Sequence, residues 1–432
     1  MLTLARTSVA DEPPRAVWDR PISTAYAVRF SNGSEETHGE APPAFTLAVR
    51  DGAHMQNLLG SDAYSAALSF VRGEFDVVGN LVAAVHMFRS QARRGWRALL
   101  YALAARVAPH RIEAVFQTRA RAAQNIRYHY DRSNDFYRQF LDQRMVYSCG
   151  YFRTPETPLD DAQAAKLNHI CRKLDLHAGD RLLDIGCGWG ALLIHAAAQF
   201  GVRATGCTLS KNQVAYATEA ARLHAPDAQV AVHEMDFRDI TGRFDKVASV
   251  GMFEHVGRRR LHRYFRAVHN LLEEDGLFLN HGIVRPAFVR DDAQTLFGQR
   301  HVFPGGELAH LSDVIRTAEL TGFEVLDVED LRPHYALTCR AWVERLQHNA
   351  TACLEVVDST TYRTWLLYLA GAAAGFEDGF ISVSQLLLAK RSSPRRRLTR
   401  RYVYCDEAAP TCPPDPDEAD RAERHARTPS GI

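Results

Sequence analysis

A short stretch near the middle of the chain combines an acid with closely spaced glycines. Residues 182–190 read Leu-Leu-Asp-Ile-Gly-Cys-Gly-Trp-Gly. The apolar run Arg181–Ile185 predicts a strand, and the pattern of Ala191–Phe200 predicts a helix. Glycines between a strand and a helix leave the backbone open to a ligand, and Asp184 lies at the strand end. This unit is typical of a nucleoside site at the carboxyl edge of an α/β sheet.

The spacing of the glycines narrows the choice of cofactor. Gly186, Gly188 and Gly190 form G-x-G-x-G, whereas dinucleotide sites use G-x-G-x-x-G. No Gly-Lys-Ser/Thr follows, which excludes a phosphate-binding Walker loop. An Asp before such a turn favours S-adenosylmethionine (SAM), a ligand without phosphate. The alternative is a turn whose glycines serve only the path of the backbone.

Polar side chains follow two further predicted strands. The strand Arg203–Thr208 is followed by hydroxyls and amides instead of the usual ribose-binding acid. These residues are Thr208, Ser210, Asn212 and Gln213. After a strand at 229–235, Asp236 is placed to accept from an adenine amino group and Phe237 to stack on the ring. A polar loop residue and a core aromatic are the simpler interpretations, and both stay open.

The next two strands supply groups for acid–base chemistry. Glu254 follows a strand at 246–251, where a carboxylate either meets a ligand or caps a helix. His281 lies in a strand at 277–283, where a histidine is more often part of the core. These residues alone leave both interpretations open.

Composition bounds the class of protein. The chain has 432 residues, of which 46% are hydrophobic and 24% charged, and its net charge is +1. This predicts two or three globular domains and excludes a bulk electrostatic field for nucleic acid. No apolar run is long enough for a membrane span, and the N-terminus lacks a signal core. Eight cysteines without a C-x-x-C pair predict a reduced, cytoplasmic protein without a metal site.

The predicted elements divide the chain into four segments. The segments are an irregular N-terminus at 1–40, a small domain at 41–118, an α/β domain at 119–391 and a disordered tail at 392–432. Strands that alternate with helices predict a doubly wound, mostly parallel sheet in the third segment. We expect residues 292–320 to cap the site and residues 336–390 to be largely helical.

Arginines and aromatic residues are interleaved between residues 89 and 121. Eight arginines stand there against one acid, Glu113, together with Trp96 and Tyr101. A helix with this composition suits a membrane surface that carries anionic lipids. A solvated basic face explains the same residues equally well.

Seven segments, covering roughly residues 120–390, resemble the cyclopropane-fatty-acyl-phospholipid synthases and the related mycolic acid cyclopropane synthases in order and spacing. They read Tyr-His-Tyr-Asp-Arg-Ser-Asn-Asp-Phe-Tyr (128–137), Val-Tyr-Ser-Cys-Gly-Tyr-Phe (146–152), Asp-Ile-Gly-Cys-Gly-Trp-Gly (184–190), Thr-Leu-Ser-Lys-Asn-Gln (208–213), Phe-Glu-His-Val-Gly (253–257), Phe-Pro-Gly-Gly-Glu (303–307) and His-Tyr-Ala-Leu-Thr (334–338). The resemblance implies a seven-stranded SAM-methyltransferase sheet with a helical cap. Residues 72–76 resemble, more weakly, the lipid-facing N-terminal domain of the longer members.

The resemblance also implies the cofactor contacts. Tyr147 and Ser148 would close over SAM, and the glycine turn would hold its methionine end. The turn residues are Asp184, Gly186, Cys187, Gly188 and Gly190. The ribose and adenine residues are Thr208, Leu209, Ser210, Gln213, Asp236, Phe237 and Arg238.

Members of this family hold a bicarbonate ion as a base. The resemblance places it on Glu254, His281 and Tyr335, with backbone groups of Cys149 and Ile283. A second negative charge beside Glu254 would be repelled, so we expect this carboxyl to share or relay a proton.

The implied chemistry explains this set of residues. A cis alkene attacks a sulfonium methyl only when both are held in line and away from water. The resulting carbocation is stabilised by aromatic faces, for which Tyr128, Tyr130 and Phe253 are candidates. Loss of a proton from the new methyl then closes a cyclopropane ring. Some members carry a cysteine in the C-terminal helical region where this chain has Ala372, which favours the anion over a thiol route.

The expected function is methylene transfer from SAM to the cis double bond of an unsaturated acyl chain in a membrane phospholipid. We expect a homodimer associated peripherally with the inner face of the membrane. Two alternatives keep the fold, namely a C-methyltransferase that leaves a methyl or hydroxylated branch and an amine N-methyltransferase. A third is a non-catalytic lipid- or SAM-binding protein, which would be expected to lose part of the anion site.

Overall fold

The computed structural model describes most of the chain between residues 24 and 404. The described ranges are 24–40, 42–92, 133–289, 297–298, 300–302, 307–393 and 399–404. Tyr128 and Tyr130, the segment 93–121 of the basic region and most of the expected tail lie outside these ranges.

Residues 26–92 form a small N-terminal domain around a four-stranded sheet. Its strands are β1 (Tyr26–Phe30), β2 (Glu35–His38), β3 (Phe45–Val49) and β4 (Asp76–Gly79), in the order β2-β1-β3-β4. Its helices are α1 (Gly52–Gly60), α2 (Ala63–Val71) and α3 (Leu81–Ala92). Phe45, Leu47 and Val49 point into the core, as their alternation predicts.

The prediction of an irregular segment at 1–40 is wrong for its described part. Strand β1 pairs in parallel with β3 and antiparallel with β2, so this segment belongs to the N-terminal sheet. The four residues of β2, Glu-Glu-Thr-His, are all exposed. Without one buried face, an edge strand shows no alternation from which it can be predicted.

The second domain is built on the predicted seven-stranded sheet. Its strands are β5 (Arg181–Ile185), β6 (Arg203–Thr208), β7 (Val230–Glu234), β8 (Phe244–Val250), β9 (Leu272–Val284), β10 (Phe323–Asp330) and β11 (Ser382–Lys390), in the order β10-β11-β9-β8-β5-β6-β7. Strands β5 to β9 pair in parallel, and β11 runs antiparallel to both of its neighbours. The doubly wound, mostly parallel class is therefore confirmed.

Two strands differ from the sequence-based expectation. Strand β10 was not predicted, and β11 lies in the segment expected to be largely helical. Eight of the nine residues of β11 are buried, including Ser384, Gln385 and Lys390, so polar and apolar residues do not alternate along the strand. A strand that is buried on both faces has no period that separates it from a buried helix.

Helices cover both faces of the sheet and one end of it. They are α4 (Asn134–Arg138), α5 (Leu159–Lys173), α6 (Ala191–Phe200), α7 (Lys211–His224), α8 (Leu261–Leu271), α9 (Leu311–Leu320), α10 (Arg332–His348), α11 (Ala350–Val356), α12 (Ser359–Glu377) and α13 (Arg401–Tyr404). Helices α8 and α9 share a core with one face, and α5 and α6 share a core with the other. Helices α10 and α12 pack together and form a helical cap. The expected cap at 292–320 is a different segment, whose described helix α9 packs on a face of the sheet.

The N-terminal domain packs on this cap through one continuous apolar core. Polar contacts tie the two parts as well. Arg363 of α12 donates from Nε to the carbonyl of Phe70 at 2.6 Å, and its guanidinium lies 4.3 Å from the centre of that ring. His86 Nε2 lies 2.7 Å from Glu377 Oε2 at the other end of α12. The N-terminal domain therefore supports the helix that backs the site.

None of the helices in the described ranges is both long enough and apolar enough to cross a membrane.

Candidate active site

The glycine turn forms one wall of a cleft at the carboxyl ends of the parallel strands. Gly186, Gly188 and Gly190 have φ angles of +81°, +55° and +85°, which side chains rarely adopt. A Cβ at Gly186 would lie 2.8 Å from Met252 Cγ, and one at Gly190 would lie 2.8 Å from Ala217 Cβ. Gly186 and Gly190 are therefore favoured both by backbone conformation and by space, and Gly188 by backbone conformation alone. The cleft has a volume of about 220 Å³.

The predicted cofactor residues mostly converge on this cleft. Those that line it are Tyr147, Ser148, Asp184, Gly186, Cys187, Gly188, Thr208, Leu209, Gln213, Asp236, Phe237 and Arg238. Gly190 instead stands at the start of α6. Ser210 is buried and caps α7, where its Oγ accepts from the N–H of Gln213 at 3.4 Å. Its described contact is therefore structural.

The polar residues at the far end of the cleft are already paired. Thr208 donates from Oγ1 to Gln213 Oε1 at 2.6 Å, and Asp236 accepts from Arg238 Nε at 2.7 Å. The ring of Phe237 meets that of Tyr264 edge-on at 5.8 Å. This end offers an aromatic face and preset hydroxyl, amide and carboxyl groups, which suits a ribose and a purine.

A buried lysine that the sequence motifs did not indicate also lines the cleft. Lys166 of α5 is 2% exposed, and its Nζ donates to Ser148 Oγ at 3.1 Å. Burial lowers the pKa of Lys166 to about 8, and the nearby carboxyl of Asp142 partly opposes that effect. Gln163, one turn earlier, donates to the backbone carbonyl of Ser148 at 2.8 Å. Two hydrogen bonds from α5 thus hold Ser148 in position.

Asp184 is the acid of the glycine turn and is almost fully buried. Burial raises the pKa of its carboxyl to about 7, although the charge of Lys166 lowers it. Its Oδ1 atom has no hydrogen-bond partner within the part of the chain that the structure describes. An unpartnered acid and a buried ammonium in one cleft fit the amino and carboxylate groups of an amino-acid ligand. The cleft therefore fits SAM, whose methionine end these two residues would hold.

A second signal in the sequence would have revealed Lys166. Gln163, Lys166, His169 and Lys173 recur at helical spacing on the buried stripe of α5. Polar side chains at positions where core residues are expected mark a functional or ionic site. The other unpredicted residues of the cleft include Met145, Trp189, Met252, His255, Arg260, Arg263 and Tyr264.

Glu254 lies beyond the cleft lining, in the short 3-10 helix Phe253–His255 that follows β8. Its Oε1 accepts from the N–H of Ile283 at 2.6 Å, while Oε2 is buried and unpartnered among the described residues. Burial raises the pKa of this carboxyl to about 7, against the hydrogen bond from Ile283, which lowers it. Glu254 can therefore exchange a proton near neutral pH.

Gly282 makes room for Glu254. A Cβ at Gly282 would lie 2.1 Å from Phe253 Cε1 and 3.0 Å from Glu254 Oε1. Phe253 is itself buried, so its ring has little freedom to retreat. The glycine therefore sets where the aromatic ring and the carboxyl stand relative to β9.

His281 lies on the same face of β9 as Ile283, whose N–H holds Glu254. Its ring is 1% exposed, and Nε2 has no partner in the described ranges. Burial lowers the pKa of His281 to about 3, so the imidazole is neutral. On the opposite strand, Gln385 Nε2 lies 3.0 Å from His281 Nδ1.

Cys149 and Tyr335 complete the predicted set. Burial raises the pKa of the Tyr335 hydroxyl well above its usual range, and an ionised Glu254 acts in the same direction. Tyr335 is therefore within electrostatic reach of Glu254. The ring of Tyr335 stacks on Phe376 with centres 4.5 Å apart. Ala372, where some relatives carry a cysteine, is buried one turn earlier on α12.

The thiol of Cys149 is poorly suited to act as a nucleophile. It is fully buried, and its Sγ lies 3.2 Å from the carbonyl oxygen of Gly150. Burial raises the pKa of Cys149 far above the neutral range, so the thiolate is absent at physiological pH. The residue contributes its backbone and its small volume.

Known proteins share both the sequence and the fold of this domain. The family described as mycolic acid cyclopropane synthetase matches residues 117–386. A probable fatty acid methyltransferase of Pseudomonas putida is 39% identical over 356 residues, which cover 81% of this chain and 88% of that protein. Cyclopropane mycolic acid synthase 3 of Mycobacterium tuberculosis is 37% identical over 62% of this chain and 96% of its own length.

A solved structure gives the same answer. Mycolic acid cyclopropane synthase CmaA1, complexed with SAH and CTAB, superimposes with a TM-score of 0.60 at 34% identity. The match covers 62% of this chain and 98% of that one. Together with the glycine turn and the cleft that fits SAM, these likenesses identify a SAM-dependent methyltransferase. The chain belongs to the mycolic acid cyclopropane synthetase family.

Proposed function

We propose that this protein transfers a methylene group from SAM to the cis double bond of an unsaturated acyl chain in a membrane phospholipid, forming a cyclopropane. When bound, SAM supplies an electrophilic methyl group. One observation carries the proposal: Glu254 and His281 each keep a buried polar atom that has no partner among the described residues, and neither residue lines the cofactor cleft. Buried polar atoms are normally paired, so these atoms indicate a small polar species that they hold.

The protonation states support an oxyanion as that species. His281 is neutral and Tyr335 keeps its proton, because burial lowers the pKa of the first to about 3 and raises the pKa of the second. Each can therefore donate one hydrogen bond. Glu254, with its pKa raised to about 7, can share a proton with a neighbouring oxyanion instead of repelling it. Bicarbonate, the ion expected from the resemblance, would supply the base that ring closure needs.

The surroundings support a cationic intermediate on the acyl chain. Tyr147 lines the cleft and packs against Trp342 and Trp365, with ring centres 5.1 and 6.0 Å apart. Phe253 is buried next to Glu254. Aromatic faces exclude water, which would otherwise trap a carbocation as an alcohol, and their quadrupoles attract positive charge. The roles of Tyr128 and Tyr130 stay predictions, because both lie outside the described residues.

A basic stripe beside the cleft supports a membrane as the source of the substrate. Arg259, in the 3-10 turn 258–260 just before α8, and Arg263 and Arg266, on α8, are all exposed. Arg263 also lines the cleft. None of the three forms an ion pair with another described residue. Phe288, after β9, is 75% exposed. Arginines around the mouth of a site suit anionic lipid headgroups.

Mass spectrometry of lipids tests the proposed reaction. Purified protein is incubated with SAM and vesicles of cis-unsaturated phosphatidylglycerol and phosphatidylethanolamine, and the product is then hydrogenated mildly. A gain of one CH₂ that takes up no hydrogen identifies a cyclopropane and supports the proposal. A product that takes up hydrogen is a branched alkene and overturns ring formation in favour of a fatty-acyl C-methyltransferase, an activity suggested by the name of the Pseudomonas putida relative.

Vesicle binding tests the membrane part separately. Reversing charge at Arg259, Arg263 and Arg266 is expected to weaken sedimentation with anionic vesicles at low salt. The matched control reverses Arg203, Arg316 and Arg391, which are exposed elsewhere on the same domain and change the net charge equally. Equal binding by the two variants and the wild type would show that the stripe is only a solvated face. The expected homodimer stays a prediction, which sedimentation velocity would check.

A further inference from the structure

Gln385 is a buried polar residue for which the proposed chemistry gives no role. It lies in β11 among Leu386, Leu387 and Leu388, and none of its surface is exposed. An amide placed in such a strand costs free energy unless it forms hydrogen bonds. Its Oε1 atom has no partner among the described residues, so stability alone does not account for it.

The position of Gln385 in the sheet directs its amide to one place. β11 runs antiparallel to β9, and Gln385 stands directly opposite His281 in the register. Side chains of directly paired residues project to the same face of a sheet and lie within contact distance. Gln385 Nε2 accordingly lies 3.0 Å from His281 Nδ1.

This contact decides which ring nitrogen carries the proton. A neutral imidazole has one N–H, and the nitrogen opposite a hydrogen-bond donor must be the acceptor. With the amide donating to Nδ1, the proton of His281 is on Nε2. That nitrogen is the buried, unpartnered atom, so the ring presents a donor where an anion is expected.

We propose that Gln385 is a positioning residue that holds His281 as the Nε2–H tautomer, so that the ring donates to an oxyanion bound near Glu254. The identity of that anion rests on the proposed function. The tautomer itself rests only on the register of β9 and β11 and on the 3.0 Å contact. Without the amide, the ring could rotate or take the other tautomer and would then repel the anion with a lone pair.

The test removes the hydrogen bond without removing volume. Gln385→Met keeps the length of the side chain and adds no charge. Leu387→Met is the matched control, because it makes an equally mild change two residues away on the same face of β11. The wild type and the two variants are labelled with ¹⁵N-histidine. A His281→Asn variant identifies the His281 signals in long-range ¹H–¹⁵N spectra.

The expected spectrum of the wild type shows His281 protonated at Nε2, with Nδ1 as the acceptor. In Gln385→Met the signals shift toward the Nδ1–H form or average between the two, while Leu387→Met leaves them unchanged. Turnover in Gln385→Met is expected to fall about 10- to 100-fold, by analogy with residues that orient a metal-binding histidine. The loss should appear in kcat, with an unchanged Kd for SAM.

Two results would overturn the proposal. One is a wild-type spectrum with the proton on Nδ1, and the other is a tautomer and kcat that Gln385→Met leaves unchanged. The spectra need no lipid substrate, so they decide the role of Gln385 even if the protein fails to make cyclopropanes. Conversely, a confirmed tautomer in a protein without turnover would indicate a wrong substrate and leave the positioning role intact.

Discussion

The SAM cleft and the cluster around Glu254 occupy the same edge of one sheet but differ in their hydrogen bonding. In the outer part of the cleft, polar groups are paired before any ligand arrives, as Thr208 is with Gln213 and Asp236 with Arg238. In the cluster, Glu254 Oε2 and His281 Nε2 are buried without a described partner. The cleft is organised to bind, whereas the cluster keeps its hydrogen-bonding capacity for a reacting group.

The difference also shows in the electrostatics. Arg238 lies beside Asp236, and the hydrogen bonds between them raise the pKa of the guanidinium, as in an ordinary surface ion pair. For Glu254, His281 and Tyr335, burial shifts the pKa in the direction that favours the neutral form. Low polarity therefore favours the neutral form of each group, so that Glu254 can stay protonated beside a bound anion. Such an environment strengthens both the hydrogen bonds to the anion and its basicity.

Replacement of Glu254 should separate the two regions most clearly. Glu254→Gln keeps the hydrogen bond from Ile283 but loses the exchangeable proton. We expect turnover to fall about 10²- to 10³-fold, as for loss of a general acid or base, with an unchanged Kd for SAM. Lipid turnover and isothermal titration with SAM measure the two quantities.

The control for Glu254 is Glu319→Gln, an exposed change on α9 that should alter neither quantity. Weakened SAM binding in Glu254→Gln would contradict the separation between SAM binding in the cleft and chemistry in the cluster, because it would show that Glu254 contributes to SAM binding. Full turnover would remove Glu254 from the chemistry and would favour a different base.

The raised pKa of Glu254 also predicts a dependence of stability on pH. The folded protein holds this proton with a pKa of about 7, whereas an unfolded glutamate has a value of 4.5. Protonation therefore stabilises the fold at low pH, and that stabilisation is lost as pH rises from 4.5 through 7. Glu254→Gln lacks the effect, so its stability relative to wild type should rise by roughly 3 kcal/mol across this window.

Urea unfolding of both proteins at pH 5 and pH 8 measures that difference. Asp184, whose pKa is also raised to about 7, is present in both proteins and cancels in the comparison. A stability difference that does not change with pH would show that the Glu254 carboxyl titrates near its ordinary value. The cluster would then be wetter than its burial indicates.

Sequence patterns predicted the cleft better than the cluster for a physical reason. The glycine turn and the ends of β5 and β6 are local units. Their hydrophobic periodicity and their turn residues can be recognised within about ten residues of sequence. The proposed cluster draws on the ends of β8 and β9, on α10 and on the loop before α5, which lie far apart in the sequence. No local pattern connects them, and their roles came from resemblance to a family.

The functional residues that the sequence motifs did not indicate also depend mostly on contacts between distant segments. Gln385 pairs with His281 through a buried strand that has no alternation, so neither the strand nor the contact was predictable. Lys166 sits on a helix that was not assigned to the site, although its position on a buried stripe is visible in the sequence. Gly282 requires knowledge of where the ring of Phe253 lies.

Gly282 gives a steric test of the cluster. Gly282→Ala would place a Cβ 2.1 Å from the Phe253 ring, so the ring and the neighbouring carboxyl of Glu254 must move. We expect a loss of about 1–3 kcal/mol in the free energy of unfolding, typical of overpacking, together with reduced turnover. Gly52→Ala is the control, because a Cβ there meets nothing within 4 Å. Unchanged turnover in Gly282→Ala would show that the placement of Glu254 is not critical.

Substitution of Lys166 tests the difference between the SAM cleft and the Glu254 cluster by changing the cleft. Lys166→Met removes the ammonium that donates to Ser148 and lies near the carboxyl of Asp184, but it retains an apolar chain in a buried place. If this lysine holds the carboxylate of SAM, the Kd for SAM should rise about tenfold, or about 1.4 kcal/mol. Lys211→Met, at the exposed start of α7, should leave the affinity unchanged. At saturating SAM, Lys166→Met should retain most of its kcat, the reverse of Glu254→Gln. A lysine variant that binds SAM normally but loses kcat would show that its charge acts on the cluster, and that the two regions share one electrostatic environment.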